Sequence, residues 1–361
     1  MGTNKKMGGE YYMKIGIITF HWAINCGAIL QAYALQTYLS RMGHEVKIIN
    51  YIPINTIDCL INSFRTKRVW RIPGNIFECL KKSSVYLNEY QFEKFRKKYL
   101  NLSNLYTSNK ILKSNPPHYD VYICGSDQIW NPSLTMSGER SYFLDFGGSD
   151  IKRIAYAASF GCKSWKFSRS LLANFNAISV RENSGRRIVK EMGINDVCVM
   201  PDPTLLLEAK DYYKFVSSVE KGFVFFYILH QDQKVIERVK NYIEQSNKIV
   251  ESKNVGIEEW LTLIKGSDIV ITNSFHGMVF SIIFNKPFIV VLVEKSGMND
   301  RVFTLLERLG LKDRVIEYYN EEKIEDIMKR EIDWERVEKE IDCMRKEALN
   351  FFEININRYI S

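Results

Sequence analysis

The sequence predicts a two-lobed α/β chain built on parallel, doubly wound sheets. Three observations carry that expectation. Strand and helix signals alternate along most of the chain, the pattern of parallel α/β sheets. The 361 residues exceed what one hydrophobic core comfortably serves and suit two α/β domains. Near the middle, Pro201-Asp-Pro-Thr204 can continue neither a helix nor a central strand, and it marks a boundary.

The elements follow in order. Lys14-Ile-Gly-Ile-Ile-Thr-Phe20 is a short apolar run of the kind that forms a fully buried strand. A loop, His21 to Gly27, leads into a helix from about Ala28 to Met42, with Gly43 placed to end it in the left-handed conformation. Glu45–Asn50, Tyr119–Cys124, Arg153–Tyr156, Ala177–Val180 and Val197–Met200 read as the remaining strands of the first lobe. The second lobe opens with Phe223–Leu229 and continues with strands near Lys248–Val250, Asp268–Thr272 and Pro287–Leu292. The expected domains are 13–203, 204–333, and a charged helical tail over 334–361 that packs back on the first domain. An insertion of helical character, about 54–112, interrupts the first lobe. Within it, Arg65 to Lys98 carries ten Lys/Arg against three Glu, interleaved with aromatic residues. That composition suits either an amphipathic helix with a solvated basic face or a surface that docks on anionic lipid.

Composition narrows the function classes. With 46% hydrophobic and 13% aromatic residues, the chain can fill sizeable cores and is not a disordered type. No apolar run approaches the ~20 residues that span a bilayer. The stretch Met1–Tyr12 is polar, lacks the apolar core of a secretory signal, and reads as a short disordered leader. Seven cysteines, scattered and without a Cys-x-x-Cys pair, point to a reducing cytoplasm and away from a disulfide frame or structural zinc. The formal charge of +8 suits anionic partners, whether phosphorylated metabolites or a membrane surface. A nucleic-acid role is disfavoured, because the basic residues cluster in one insertion and no recognised binding motif accompanies them.

Ligands of doubly wound sheets bind beyond the carboxyl ends of the strands, and four such ends carry unusual polar content. Asn25-Cys-Gly27 opens the first helix, where free N–H groups and the positive dipole end suit a phosphate or carboxylate; the same turn is also an ordinary place for Gly. Ser126, Asp127, Gln128 and Trp130 follow the strand ending at Cys124. They suit a polyhydroxylated ligand with Trp130 stacked on a sugar ring, or a capped turn above a core tryptophan. Arg181 ends Ala177–Val180, where an arginine is costly unless paired; it is a candidate bidentate anion clamp or the partner of a nearby carboxylate. Asn273-Ser-Phe-His-Gly277 follows an apolar strand and begins a helix, so His276 sits at a helix N-terminus on the rim of the crevice. It is the leading candidate for proton transfer, with Asn273, Ser274 and Gly277 beside it. His21 is a secondary candidate. No metal-ligand spacing, P-loop or Gly-x-Gly-x-x-Gly is present.

Taken in order, these blocks resemble the polysaccharide pyruvyl transferases. The resemblance runs from about Lys14 to Leu311. It rests on Gly16–Phe20 with Asn25–Gln36, Cys124–Pro132, Arg153–Gly161, Ile178–Glu182, Pro201–Thr204 and Asp268–Gly277. It implies two Rossmann-like lobes of GT-B type with the site in the cleft and the acceptor on the side of the first lobe. It implies phosphoenolpyruvate as co-substrate and donor, and a sugar with two free hydroxyls as acceptor, carried on a polyprenyl diphosphate. The product is a cyclic pyruvate ketal in a capsular or exopolysaccharide, made by a cytoplasmic enzyme that meets the inner face of the membrane. No cofactor or metal is implied. The family places a functional arginine at Arg181, a functional histidine at His276 and, in some members, a third basic residue at Lys295 or Arg301. Two other readings share features of the sequence. A GT-B glycosyltransferase with a nucleotide-sugar donor shares the lobes and cleft. A non-catalytic glycan- or lipid-binding protein would use the basic insertion instead.

Overall fold

The computed structural model describes residues 6–7, 10–53, 89–135, 140–165, 169–218, 221–229, 234–251, 255–294 and 296–357. A short hairpin, β1 (Lys6–Met7) with β2 (Glu10–Tyr11), lies within the stretch expected to be a disordered leader. The first sheet takes β3 (Lys14–Ile18), β4 (Glu45–Tyr51), β5 (Leu102–Tyr106), β6 (Val121–Cys124), β7 (Lys152–Ala158), β8 (Ala177–Val180) and β9 (Val197–Val199). Its strands are parallel and run in the order β5-β4-β3-β6-β7-β8-β9. The order reverses between β3 and β6, so the loops leaving those two strands part to opposite faces and open a crevice at their carboxyl ends.

The second sheet takes β10 (Val224–Tyr227), β11 (Ile249–Glu251), β12 (Ile269–Thr272), β13 (Phe288–Val291) and β14 (Val315–Ile316). It too is parallel, in the order β11-β10-β12-β13-β14, and it reverses between β10 and β12. Its three central strands, β10, β12 and β13, are continuous apolar runs or nearly so, because a parallel sheet is covered by helices on both faces. The two sheets lie on either side of 201–207.

Six helices frame the cleft and the lobes. Helix α1 (Cys26–Arg41) starts where Asn25 Oδ1 accepts the Ala28 N–H at 3.1 Å, and the chain leaves it through Gly43 at φ +90°. Twelve of its residues, from Cys26 to Leu39, are buried, as expected of a helix covered on every side. Next is α2, over 89–99. Helix α3 (Asn183–Glu191) follows β8, α4 (Phe275–Ile283) follows β12, and α5 (Asp300–Arg308) follows β13. The last helix, α6 (Trp334–Asn357), spans both lobes. Arg308 of the second lobe binds its Glu340 and Glu347, while its Phe352 stacks on Tyr156 of β7 with ring centroids 4.5 Å apart. Its Arg345 also donates to the carbonyls of Leu205 and Leu207.

Two strands depart from the sequence expectation. β5 lies in a stretch expected to be helical throughout. It is an edge strand whose Asn104 and Leu105 are exposed, so it shows no apolar alternation. Backbone pairing with β4 and a Ser103 Oγ acceptor for the Asn50 N–H hold it. β14 is two residues long and carries too short a pattern to read. Of the basic insertion, residues 54–88 lie outside the described residues. In the described part, Lys94, Lys97 and Lys98 are exposed. Arg96 is not: it is buried, bound to Glu93 and the Trp22 carbonyl. No helix among the described residues is long and apolar enough to cross a membrane.

Phe352 is fully buried against Tyr156 and Tyr38. Phe352→Ala should therefore cost about 3–5 kcal/mol, read as a lower denaturant midpoint. A midpoint equal to wild type would show that α6 does not hold the first lobe.

Candidate active site

The two sheet reversals face each other, and between them lies a cavity of about 510 Å³. Lobe one contributes Asn25 from the loop after β3 and Asp127, Gln128 and Asn131 from the loop after β6. Lobe two contributes Leu229 after β10 and Asn273, Ser274, Phe275 and His276 after β12. Ser296, Met298 and Arg301 close it from the segment after β13, and Gly161 and Cys162 from that after β7. Every wall is therefore a strand's carboxyl end, where the sheets leave side chains free of ladder packing.

Local chemistry fixes each group. Asp127 sits at φ +76°, a conformation that short polar side chains tolerate, and its Oδ1 accepts the Gln128 N–H at 2.8 Å. Asn273 Oδ1 accepts the Leu229 N–H at 2.8 Å, tying the ends of β10 and β12 together. Ser274 caps α4 by accepting the Gly277 N–H at 3.2 Å. The caps at Asn25 and Ser274 thus occupy the Ala28 and Gly277 amides that the sequence offered to an anion.

His276 is 7% exposed and reaches the cavity across the start of α1. A Cβ built on Gly27 would lie 2.1 Å from its Cγ and Nδ1. Gly27 is there because the imidazole occupies the space a side chain would need. Likewise, a Cβ on Gly277 would lie 2.6 Å from Thr272 Oγ1. Both glycines allow a neighbouring side chain to approach closely. On the other side, His276 Nε2 faces Asp202 Oδ2 at 3.4 Å without the alignment of a hydrogen bond; such contacts often tighten only when substrate binds.

Asp202 is the residue that sequence reading missed as chemistry, taking Pro201-Asp-Pro-Thr204 only as punctuation. It is buried. Its Oδ1 accepts from Thr204 N–H at 3.0 Å and Thr204 Oγ1 at 2.8 Å; its Oδ2 accepts from Arg181 at 2.7 Å and from Ser126 Oγ at 3.1 Å. Burial alone would raise its pKa. His276, Arg181 and the Thr204 N–H outweigh that and hold it well below the usual carboxylate range. An aspartate locked between two prolines was the available signal.

Four expectations need correcting. Arg181 does not line the cavity: it is 3% exposed, its Nη1 donates to Asp202, its Nε and Nη2 are buried without a hydrogen-bond partner among the described residues, and the Phe275 ring lies 4.6 Å from its Cζ. Ser126 is buried beside it and bonds to Asp202. Trp130 cannot stack on a sugar: it is fully buried, parallel to Phe143 at 5.4 Å, with its indole N–H on the Tyr142 carbonyl. A tryptophan in a polar run reads as exposed, but two residues of turn carry it into the core. His21 is buried between the Thr19 carbonyl and Asn50. Lys295 lies outside the described residues, and Arg301 lines the cavity. Arg301 rests 5.4 Å from the opposite partner of Arg181, the same Phe275 ring. Burial first, then Arg181, pulls its pKa down to about 10, so it stays charged at neutral pH. Among the described residues, no group of three or more His, Cys, Asp or Glu could hold a metal ion.

The profile of the polysaccharide pyruvyl transferases matches residues 25–295, about three quarters of the chain. The chain belongs to the polysaccharide pyruvyl transferase family. No curated protein matches it significantly. Among solved structures it is similar to one described as a UDP-N-acetylglucosamine 2-epimerase from Listeria monocytogenes. The TM-score is 0.50 at 10% identity, over 97% of this chain and 98% of that one. A second UDP-N-acetylglucosamine 2-epimerase gives a TM-score of 0.50 at 9% identity over 97% and 98%. At such identities the likeness shows the fold alone, two parallel α/β lobes of the GT-B type. For this pyruvyl transferase, the cavity joins one imidazole, one guanidinium, the Asp127 carboxylate and a set of neutral polar groups.

Gly27→Ala sets a methyl into the imidazole. It should cost about 1–3 kcal/mol as overpacking and displace His276. The check is a denaturant midpoint beside a crystal structure; an unshifted midpoint with His276 in place would contradict the packing described.

Proposed function

We propose that the protein transfers pyruvate from phosphoenolpyruvate to two hydroxyls of one sugar, closing a cyclic ketal on a precursor of cell-surface polysaccharide. The observation that carries this reading is the convergence of His276 and Arg301 on one interlobe cavity in a member of this family. Capsule or exopolysaccharide is the destination we favour, with the acceptor on a polyprenyl diphosphate.

The chemistry sets the parts. Two hydroxyl protons leave the sugar. One ends on the donor's methylene carbon, which becomes the ketal methyl; the other leaves with phosphate as the second hydroxyl displaces it. Protonation of the enol carbon builds positive charge at the adjacent carbon, and the first sugar oxygen attacks there. His276 is the group in the cavity that we assign to carry a proton between hydroxyl and methylene. Arg301 is the cavity cation for the donor's carboxylate or phosphate, and Arg181 acts behind it through Asp202 and Phe275. Asn25, Asp127, Gln128 and Asn273 are suited to sugar hydroxyls, since they offer donors and acceptors at fixed positions. In this reading phosphoenolpyruvate is a co-substrate and no resident cofactor takes part.

The test is phosphate release from phosphoenolpyruvate across a panel of lipid-linked sugars. His276→Ala should lose about 10²–10⁴ in rate while keeping its fold. Near-normal transfer by that variant, or stabilisation by UDP-sugars but not by phosphoenolpyruvate, would sink the reading. For the membrane contact, we expect Lys94, Lys97 and Lys98 changed together to Gln to reduce co-sedimentation with anionic liposomes. No difference from wild type would remove the case for docking through α2.

A further inference from the structure

We infer that Asp202 is the positioning residue that holds the His276 imidazole as its Nε2–H tautomer, which leaves Nδ1 as the atom that takes and gives the proton. Two separate features of the structure select that tautomer, one at each ring nitrogen.

At Nε2 the selection comes from an acceptor with nothing to donate. Asp202 is ionised, and an ionised carboxylate only accepts hydrogen bonds. Its plane is fixed: Thr204 supplies two donors to Oδ1, and Arg181 and Ser126 supply two to Oδ2. The flanking Pro201 and Pro203 restrict the backbone that carries it. The carboxylate therefore cannot turn away from the ring. Nε2 lies 3.4 Å from Oδ2, buried and without another partner among the described residues. A lone pair on Nε2 would face oxygen lone pairs across a site from which water is excluded. A proton there turns the contact into attraction, and low local dielectric enlarges the difference.

At Nδ1 the selection comes from the start of α1. The edge of the ring bearing Cγ and Nδ1 rests on Gly27, close enough that a Cβ would fall 2.1 Å from both atoms. The 16 residues of α1 put the positive end of the helix dipole at that point, which favours a lone pair over an N–H. Both edges of the ring thus call for the same proton arrangement.

The proton route rests on the pyruvyl-transfer reading; the tautomer does not. With the imidazole neutral, Nδ1 is the basic atom, so His276 first takes a proton from the attacking sugar hydroxyl. The imidazolium then formed is stabilised by Asp202 at Nε2, and Nδ1 returns the same proton to the donor's methylene carbon. One nitrogen handles both transfers and the proton count closes without a second acid. Asp202 touches neither substrate in this scheme.

The experiment is ¹⁵N NMR of the full-length protein labelled at histidine, without ligand, at a pH where the imidazole is neutral. His276→Gln assigns the resonances by difference. We expect wild-type His276 to give the pattern of protonated Nε2 and unprotonated Nδ1. Predominant Nδ1–H, or an even mixture, would overturn the inference, and this measurement needs no variant at Asp202. Asp202→Asn removes the charge at nearly constant shape. It should mix the two tautomers and lower kcat by about 10²–10⁴-fold, whereas a merely structural aspartate would leave the tautomer unchanged. A folded Asp202→Asn protein with the wild-type tautomer overturns the role. If phosphoenolpyruvate is not turned over and Nε2–H is nonetheless found, the function reading falls and the role of Asp202 stands.

Discussion

A carboxylate without water must be paired or lose its charge, and the cleft of this protein is organised around one such group. Asp202 is buried where the chain passes from the first sheet to the second. Its partners come from different parts of the sequence: Arg181 from the end of β8, Ser126 from the loop after β6, Thr204 from its own turn, and His276 from the second lobe. Leaving such a charge uncompensated typically costs about 3–5 kcal/mol. The same segment is held from outside as well. Tyr212 donates to the Thr204 carbonyl, and Arg345 of α6 donates to those of Leu205 and Leu207. The junction of the lobes is thus a fixed point, and the His276 imidazole is referenced to it.

The contacts between the lobes then follow from how closely backbones can approach. Gly27 lets α1 meet His276, and Gly297 meets the backbone of Cys162 and Lys163, where a Cβ would lie 2.8 Å from the Cys162 Cα. Asp300 at the start of α5 accepts the Ser184 N–H at 2.6 Å, and Thr304 accepts that of Asn183 at 3.2 Å. A helix of the second lobe therefore caps one of the first, which satisfies amides that α3 would otherwise leave open. That cap brings Arg301, the neighbour of Asp300, over the cavity.

Much of the fold was legible because buried parallel strands are apolar runs between turn residues, and those survive in any sequence that makes them. β5 and β14 were not legible: edge position and short length remove the pattern. Of the site, the groups held by local rules could be read. Asn25 and Ser274 are caps, Asp127 begins a turn, Asn273 and His276 follow a strand, and all five line the cavity. The groups held by tertiary rules could not. Whether Trp130 faces solvent depends on Phe143, and whether Arg181 faces a ligand depends on Asp202, partners set by packing across the lobe. Asp202 looked like punctuation because its prolines are what a sequence shows first.

The charge arrangement beside the cavity turns on two guanidiniums. Phe275 lies near both, with Cζ of Arg181 at 4.6 Å and of Arg301 at 5.4 Å from its ring. Aromatic rings attract each cation. Arg181 is neutralised by Asp202. Arg301 is not neutralised in the same way: among the described residues no carboxylate comes within ion-pair distance of it, and its Nε is buried without a hydrogen-bond partner. A half-buried guanidinium in that condition carries a desolvation cost that an entering carboxylate or phosphate would offset. Arg301 thus shares the cavity with the His276 imidazole and the Asp127 carboxylate.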